Sequence, residues 1–212
     1  MAGSQRFQFA NVLRGRLAER ILTILLERGS YRVTKLGIEE LFDEVKTLNR
    51  KQYRALGLPE QLRSLPDLLV ADPGLTWAKM IEVKYRRKFD RKTANELFAT
   101  LSMQRKFWPQ SYAVVIVGHA AEPDLHFHQD YIRVIPPDKT ELLKRPSDID
   151  VPTDDLCDEL WDRLPMLHDI FQLKAFESLD EHGKTLRKEF RESADFITRA
   201  IRDLGKRDRI EN

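Results

Sequence analysis

Apolar residues near the start of the chain recur at intervals of three and four. Phe9, Val12, Leu13, Leu17, Ile21, Ile24 and Leu25 fall on one stripe, which predicts a helix over 8–28. Gly29-Ser30 supplies the stop, since glycine just past a helix end takes the left-handed turn without steric penalty. The period then shortens to two: Tyr31 to Leu36 alternates as a strand, ended by Gly37. Over 38–63 the pattern is mixed. Leu41, Phe42 and Val45 predict the inward face of a short helix over 38–48, Asn49 to Arg54 is polar and basic, and Leu56-Gly57-Leu58-Pro59 predicts a turn. The stretch reads as an excursion between the first two strands.

Two apolar runs follow, 64–71 and 77–84, joined at Asp72-Pro73-Gly74. They predict an antiparallel pair of strands. A basic loop, Arg86 to Lys92, leads into a helix over about 93–108, with Leu97, Phe98, Leu101 and Phe107 inward and Pro109 as its stop. Tyr112 to Gly118 is continuously apolar, the mark of a strand covered on both faces. A further strand is expected over 125–135, ended by Pro136-Pro137. Beyond residue 138 the character changes to an acidic linker over 148–155 and helices over 154–163, 166–179 and 184–204. Strands interspersed with helices in this order predict an α/β fold, a mixed sheet flanked by helices. The expected domains are a core over 1–138, with an insertion at about 38–63, and an acidic linker and helical C-terminal extension over 139–212 that packs on the core or on a partner.

Charge adds an asymmetry. The chain of 212 residues has a net charge of +2, yet residues 1–118 hold 21 Lys/Arg against 12 Asp/Glu, and residues 119–182 hold 6 against 16. A basic front half favours a nucleic-acid or phosphate ligand. The acidic segment fits a protein-partner surface, a dimer interface or a cover over the basic face. One cysteine, Cys157, excludes an internal disulfide and suits a reducing, cytoplasmic setting. No stretch approaches the roughly 20 apolar residues of a membrane helix, so no membrane partner is expected.

Acids stand where buried strands ordinarily have none. Asp67 opens the first of the paired strands, and Glu82 and Lys84 lie two apart near the end of the second. Side chains two apart on a strand share a face, with Met80 on that face and Ile81 and Val83 on the other. Antiparallel pairing across the turn brings Asp67 beside Glu82 and Lys84. Two adjacent carboxylates suit Mg²⁺, which takes oxygen ligands from one or two acids plus water and phosphate; Mn²⁺ is the natural substitute. The backbone carbonyl of Val83 offers a third oxygen. Lys84 is placed to stabilise charge developing on a phosphoryl group. Metal, carboxylates and lysine together suit hydrolysis of a phosphodiester. The alternative for each residue is plain: Asp67 as a turn residue, Glu82 and Lys84 as a solvated strand face.

Pro66-Asp67, fourteen residues, then Glu82-Val83-Lys84 resembles the signature of the PD-(D/E)xK nucleases, and the order of elements around it resembles their helix–strand–strand–strand–helix–strand core. The segment from Gly15 to Gly29 is similar to the first helix of archaeal-type Holliday junction resolvases. The resemblance covers roughly residues 8–118. It implies a restriction-endonuclease-like fold, a metal-dependent DNA endonuclease, and a homodimer, since cutting two strands needs two sites. It also implies that Glu19 joins the metal site and that Gln104, with Trp108 one turn later, supports it. Branched DNA, restriction and repair all remain open as settings, as does a relative that binds nucleic acid or assembles with a partner without cutting.

Basic residues flank this stretch. Arg86, Arg87, Lys88, Arg91 and Lys92 follow the second strand and are expected at DNA phosphates, contacts that position a duplex without reading it. Lys46, Arg50, Lys51 and Arg54, with Tyr53 available to stack, form a second basic patch. His126 and His128 share one strand face without a third ligand by spacing, and read as ordinary strand histidines. Cys157 reads as a small buried residue.

Overall fold

The computed structural model describes residues 2–42, 45, 48, 50–117, 132–143 and 160–171. The first helix, α1 (Ala2–Arg28), is longer than its apolar stripe predicts. Among the residues whose burial is described, Ile21 and Leu25 face inward as read from the sequence, Ala18, Leu22 and Leu26 join them, and Leu17 and Ile24 are only half-buried. The helix ends in paired bonds from Ser30 N to the Glu27 carbonyl (3.0 Å) and from Tyr31 N to the Leu26 carbonyl (3.0 Å). This is the Schellman arrangement, with the left-handed position taken by Ser30 at φ 67° rather than by Gly29.

Strand β1 (Arg32–Lys35) follows. Of the helix expected over 38–48 the described part is one turn, α2 (Ile38–Leu41), which ends where Phe42 turns extended. Val45 is buried as expected, but Phe42 is 49% exposed. The basic stretch forms α3 (Arg50–Ala55), and a single turn, α4 (Glu60–Arg63), precedes the next strand.

Strands β2 (Leu68–Ala71) and β3 (Ala78–Arg86) pair antiparallel, Leu68 opposite Ile81 and Ala71 opposite Ala78. The turn between them is larger than Asp72-Pro73-Gly74. Asp72 organises it: its carboxylate accepts from Trp77 N (2.9 Å), Thr76 Oγ1 (3.0 Å) and Gly74 N (3.2 Å). Those bonds, the Trp77 amide foremost, hold its carboxyl below the usual range. Helix α5 (Arg91–Gln104) starts earlier and ends earlier than expected. Asp90 caps it, accepting from Thr93 N (2.8 Å), so Arg91 and Lys92 belong to its first turn and not to a loop. Leu97 and Leu101 are buried as expected; Phe98 and Phe107 are half-buried, Phe107 beyond the helix end.

After α5 comes β4 (Tyr112–Val117), parallel to β3 and buried along its length apart from its first residue. Of the strand expected over 125–135 the described part is β5 (Ile132–Ile135), antiparallel to β4. The sheet is therefore mixed and five-stranded, in the order β1-β2-β3-β4-β5, with helices against it. A 3₁₀ helix, Pro137–Leu143, runs across the expected domain boundary at 138. The acidic segment returns to the core: Val134 N donates to the Pro165 carbonyl (2.9 Å), and Trp161, Leu164, Leu167 and Phe171 join the same apolar cluster as α1 and the strands. A further turn, α6 (Leu167–Ile170), packs on β5. Phe171 meets Tyr31 edge-on, ring centres 5.9 Å apart. Lys46, His126, His128, the linker over 148–155, Cys157 and the helix over 184–204 lie outside the described residues. Among the described residues no helix is long and apolar enough to cross a membrane.

Candidate active site

Register decides which side chains meet. Leu68 faces Ile81 across the β2–β3 pair, so one further step sets Asp67 opposite Glu82, with both side chains on one face. Asp67 lies just before β2, anchored from both sides. Its carbonyl accepts from Leu36 N (2.8 Å), extending the β1 pairing, and its carboxylate Oδ2 accepts from Val83 N (2.7 Å). A strand residue sends its N–H and its C=O to the same edge. Val83 therefore turns its carbonyl, like its amide, to the edge of β3 where Asp67 sits.

Glu82 is buried, 7% exposed, in the middle of β3. Both its oxygens have partners. Lys84 Nζ bonds Oε1, and Gln104 Nε2 bonds Oε2. Gln104 ends α5 and is itself 5% exposed. Its amide nitrogen also reaches the Ser64 carbonyl (3.2 Å). Since both neighbours only accept, the amide must face them with its nitrogen, which leaves Gln104 Oε1 buried with no hydrogen-bond partner. Four residues on, Trp108 Nε1 donates to the Gln61 carbonyl (3.2 Å). The end of α5 thus clamps the α4 turn that leads into Asp67 and fixes Glu82 by the same side chain.

The electrostatics follow from this packing. Burial first, and the charge of Glu82 second, push the Asp67 carboxyl up from 3.8 to about 7, against the pull of Lys84 and of the Val83 amide. Glu19 adds a smaller upward push, so its charge is felt at Asp67. Glu19 is not seated against the other two acids, however. Its carboxylate pairs with Lys35 Nζ at 3.1 Å, and Lys35 reaches Glu40 at 3.8 Å. Among the described residues no three His, Cys, Asp or Glu side chains close into a ready-made cage. Asp67, Glu82 and the Val83 carbonyl are what the site offers a cation. That donor set fits Mg²⁺, which keeps much of its water and uses one or two carboxylates.

The sequence-predicted residues divide. Asp67, Glu82, Lys84 and Gln104 come together, and Glu19 stands at the edge. The basic loop is less uniform than its sequence. Arg86 is half-buried, bonds the Tyr85 carbonyl (2.8 Å), and burial lowers its guanidinium's proton affinity. Arg87 and Lys92 are exposed, Arg91 is half-buried, and Lys88 is exposed while paired with Asp90 at 3.1 Å. Lys51 and Arg54 are exposed on α3, with Tyr53 half-buried between them. Lys35 and the Ser64 carbonyl were not anticipated: a strand-end lysine and a backbone oxygen carry no sequence signal, and their roles come from contacts across elements. Compared with models of protein families, with curated proteins and with solved structures, the chain matches none.

Proposed function

We propose that this chain is a metal-dependent endodeoxyribonuclease that hydrolyses DNA phosphodiester bonds, with a restriction-endonuclease-like core of the PD-(D/E)xK kind. The observation that carries the reading is the convergence of Asp67, Glu82 and Lys84 from two paired strands, with Gln104 bonded to the buried Glu82 from the following helix. A buried carboxylate held by two donors beside a second, proton-retaining carboxyl is costly as a structural device. It is intelligible as a site that receives a cation.

Asp67 and Glu82 would hold Mg²⁺ (or Mn²⁺), with the Val83 carbonyl beside them. When bound, the ion supplies charge neutralisation at the phosphate and lowers the pKa of water. The chain's own residues do the rest. The Val83 amide orients Asp67, and Gln104 keeps Glu82 in one rotamer. Lys84 puts an ammonium on the same face, where it stabilises negative charge on a phosphate oxygen brought to the pair. Arg87, Lys88 and Lys92 offer exposed positive charge next to the strand that carries Glu82 and Lys84, for backbone contacts that position DNA.

The test is a cleavage panel: linear, nicked, branched and single-stranded DNA with Mg²⁺ or Mn²⁺. Cleavage is expected for the wild type, and Lys84→Ala should bind DNA yet lose at least about a hundredfold in rate. Failure to cut any substrate, or equal rates in the variant, would reject the reading.

A further inference from the structure

Lys35 is shared between two acids that belong to different surroundings. Glu19, on α1, lies close enough to act on Asp67; its backbone is tied into the helix by Thr23 Oγ1 at 2.9 Å. Glu40, on α2, is exposed and outside the site. Lys35 Nζ stands 3.1 Å from the first and 3.8 Å from the second. Lys35 itself ends β1 opposite Leu68, and the next residue, Leu36, bonds the Asp67 backbone. The lysine thus sits one residue from the strand contact that anchors Asp67.

We propose that Lys35 is a positioning residue for the cation site: it governs how far Glu19 contributes, with Glu40 as its alternative partner. The inference rests on the cation site proposed above. A carboxylate bound to an ammonium is a poorer cation ligand than a free one. Glu40 lets Lys35 release Glu19 without leaving the lysine unpaired. Lys35 therefore weakens cation binding and Glu40 offsets that weakening, both through Glu19.

Lys35 is 38% exposed and its partners 22% and 37%. Pairs this open to solvent are worth at most about 1 kcal/mol, roughly a fivefold change in affinity. The experiment is Mn²⁺ titration by calorimetry, with no DNA present, on the full chain. Lys35→Met should tighten Mn²⁺ binding about three- to fivefold, Glu40→Gln should weaken it by about twofold, and Lys35→Arg should restore the wild-type value. In a Glu19→Gln background the Lys35→Met gain should vanish. An equal gain in that background would overturn the inference while leaving the cation site intact, as would no gain in the single variant. A loss of affinity in Lys35→Met, matching that of Glu19→Gln, would mean that the lysine merely holds Glu19 in place, and would also overturn it. If the wild type binds no Mn²⁺, the cation site and this inference fall together. Thermal melting of each variant separates these outcomes from loss of fold.

Discussion

Gln104 donates one side-chain amide to two acceptors of different kinds, the Glu82 carboxylate and the Ser64 carbonyl. The first is a site residue and the second belongs to the approach to Asp67. Replacing Gln104 with leucine keeps the volume and removes both bonds. Glu82 is then left with a buried oxygen unpaired, which costs about 1–3 kcal/mol. We expect Gln104→Leu to lower stability by that amount and to weaken Mn²⁺ binding, whereas Trp108→Phe, which removes the bond to Gln61 and trims a half-buried ring, should cost about 1 kcal/mol or more and leave Mn²⁺ affinity near wild type. Chemical denaturation with parallel Mn²⁺ titration distinguishes the two; equal Mn²⁺ affinities in both variants would mean that Gln104 is only a packing residue.

Ser30 holds the left-handed position at the end of α1 that glycine ordinarily fills, with Gly29 one residue too early. A β-carbon there costs about 1 kcal/mol or more, partly offset by the larger entropy glycine loses on folding. Ser30→Gly should therefore stabilise the protein by about 0.5–1 kcal/mol. The residue is exposed, so no packing change confuses the result. A lower melting temperature in this variant would contradict the reading of the helix end.

The central strands and the acids on them were legible because burial and chemistry coincide there. A polar residue in an apolar strand is conspicuous, and the alternation that puts Glu82 and Lys84 on one face also fixes Asp67 opposite once the register is known. The α1 and α5 periods were legible for a similar reason, although the buried face of α1 takes in Ala18 and Leu22 beside the expected Ile21 and Leu25, and alanine adds little to an apolar pattern. The stretch over 38–63 was not legible. Its described helices are single turns or little more, and Phe42, apolar by sequence, is exposed. Short elements leave no periodicity to read. The basic loop misled in another way. Arg86 carries the same charge as Arg87, but as the last residue of β3 it is drawn back against the backbone, and nothing in composition separates the two.

That difference predicts different failures. Arg87 is exposed, and Lys88 has 62% of its side chain in solvent. If they contact phosphate, Arg87→Ala and Lys88→Ala should each weaken DNA binding about equally across sequences and reduce the slope of log affinity against log salt by about 1. Their melting temperatures should not change. Arg86 is half-buried, and the charge of Glu96 offsets part of that burial. Arg86→Ala should lose stability by about 1 kcal/mol or more through lost packing, and its salt slope should stay close to wild type. Binding measured by fluorescence anisotropy at several salt concentrations checks this, and a reduced slope in Arg86→Ala would place that side chain at the phosphate instead.

Asp67 gives the sharpest pH dependence. Its carboxyl ionises near 3.8 when unfolded and at about 7 in the fold, chiefly because it is buried and secondly because Glu82 is beside it. Between those values the folded chain keeps a proton that the unfolded chain has released, so stability falls as pH rises from about 4 through about 7 and is lost no further by this group above that. In chelator-treated protein the loss should be on the order of a few kcal/mol. Asn at this position still accepts from the Val83 amide but has no charge to desolvate. Asp67→Asn should therefore melt above wild type at pH 8, with the advantage shrinking toward zero near pH 4. Cation binding runs against the same proton: Mn²⁺ needs the ionised carboxylate, so wild-type affinity should drop by up to about tenfold per pH unit below about 7, while Asp67→Asn binds weakly at every pH. Melting curves at pH 4 and pH 8, with and without Mn²⁺, test both halves. Wild-type stability that rises over this range in chelator, or Mn²⁺ affinity independent of pH below 7, would show that Asp67 is not the proton-retaining acid of the pair.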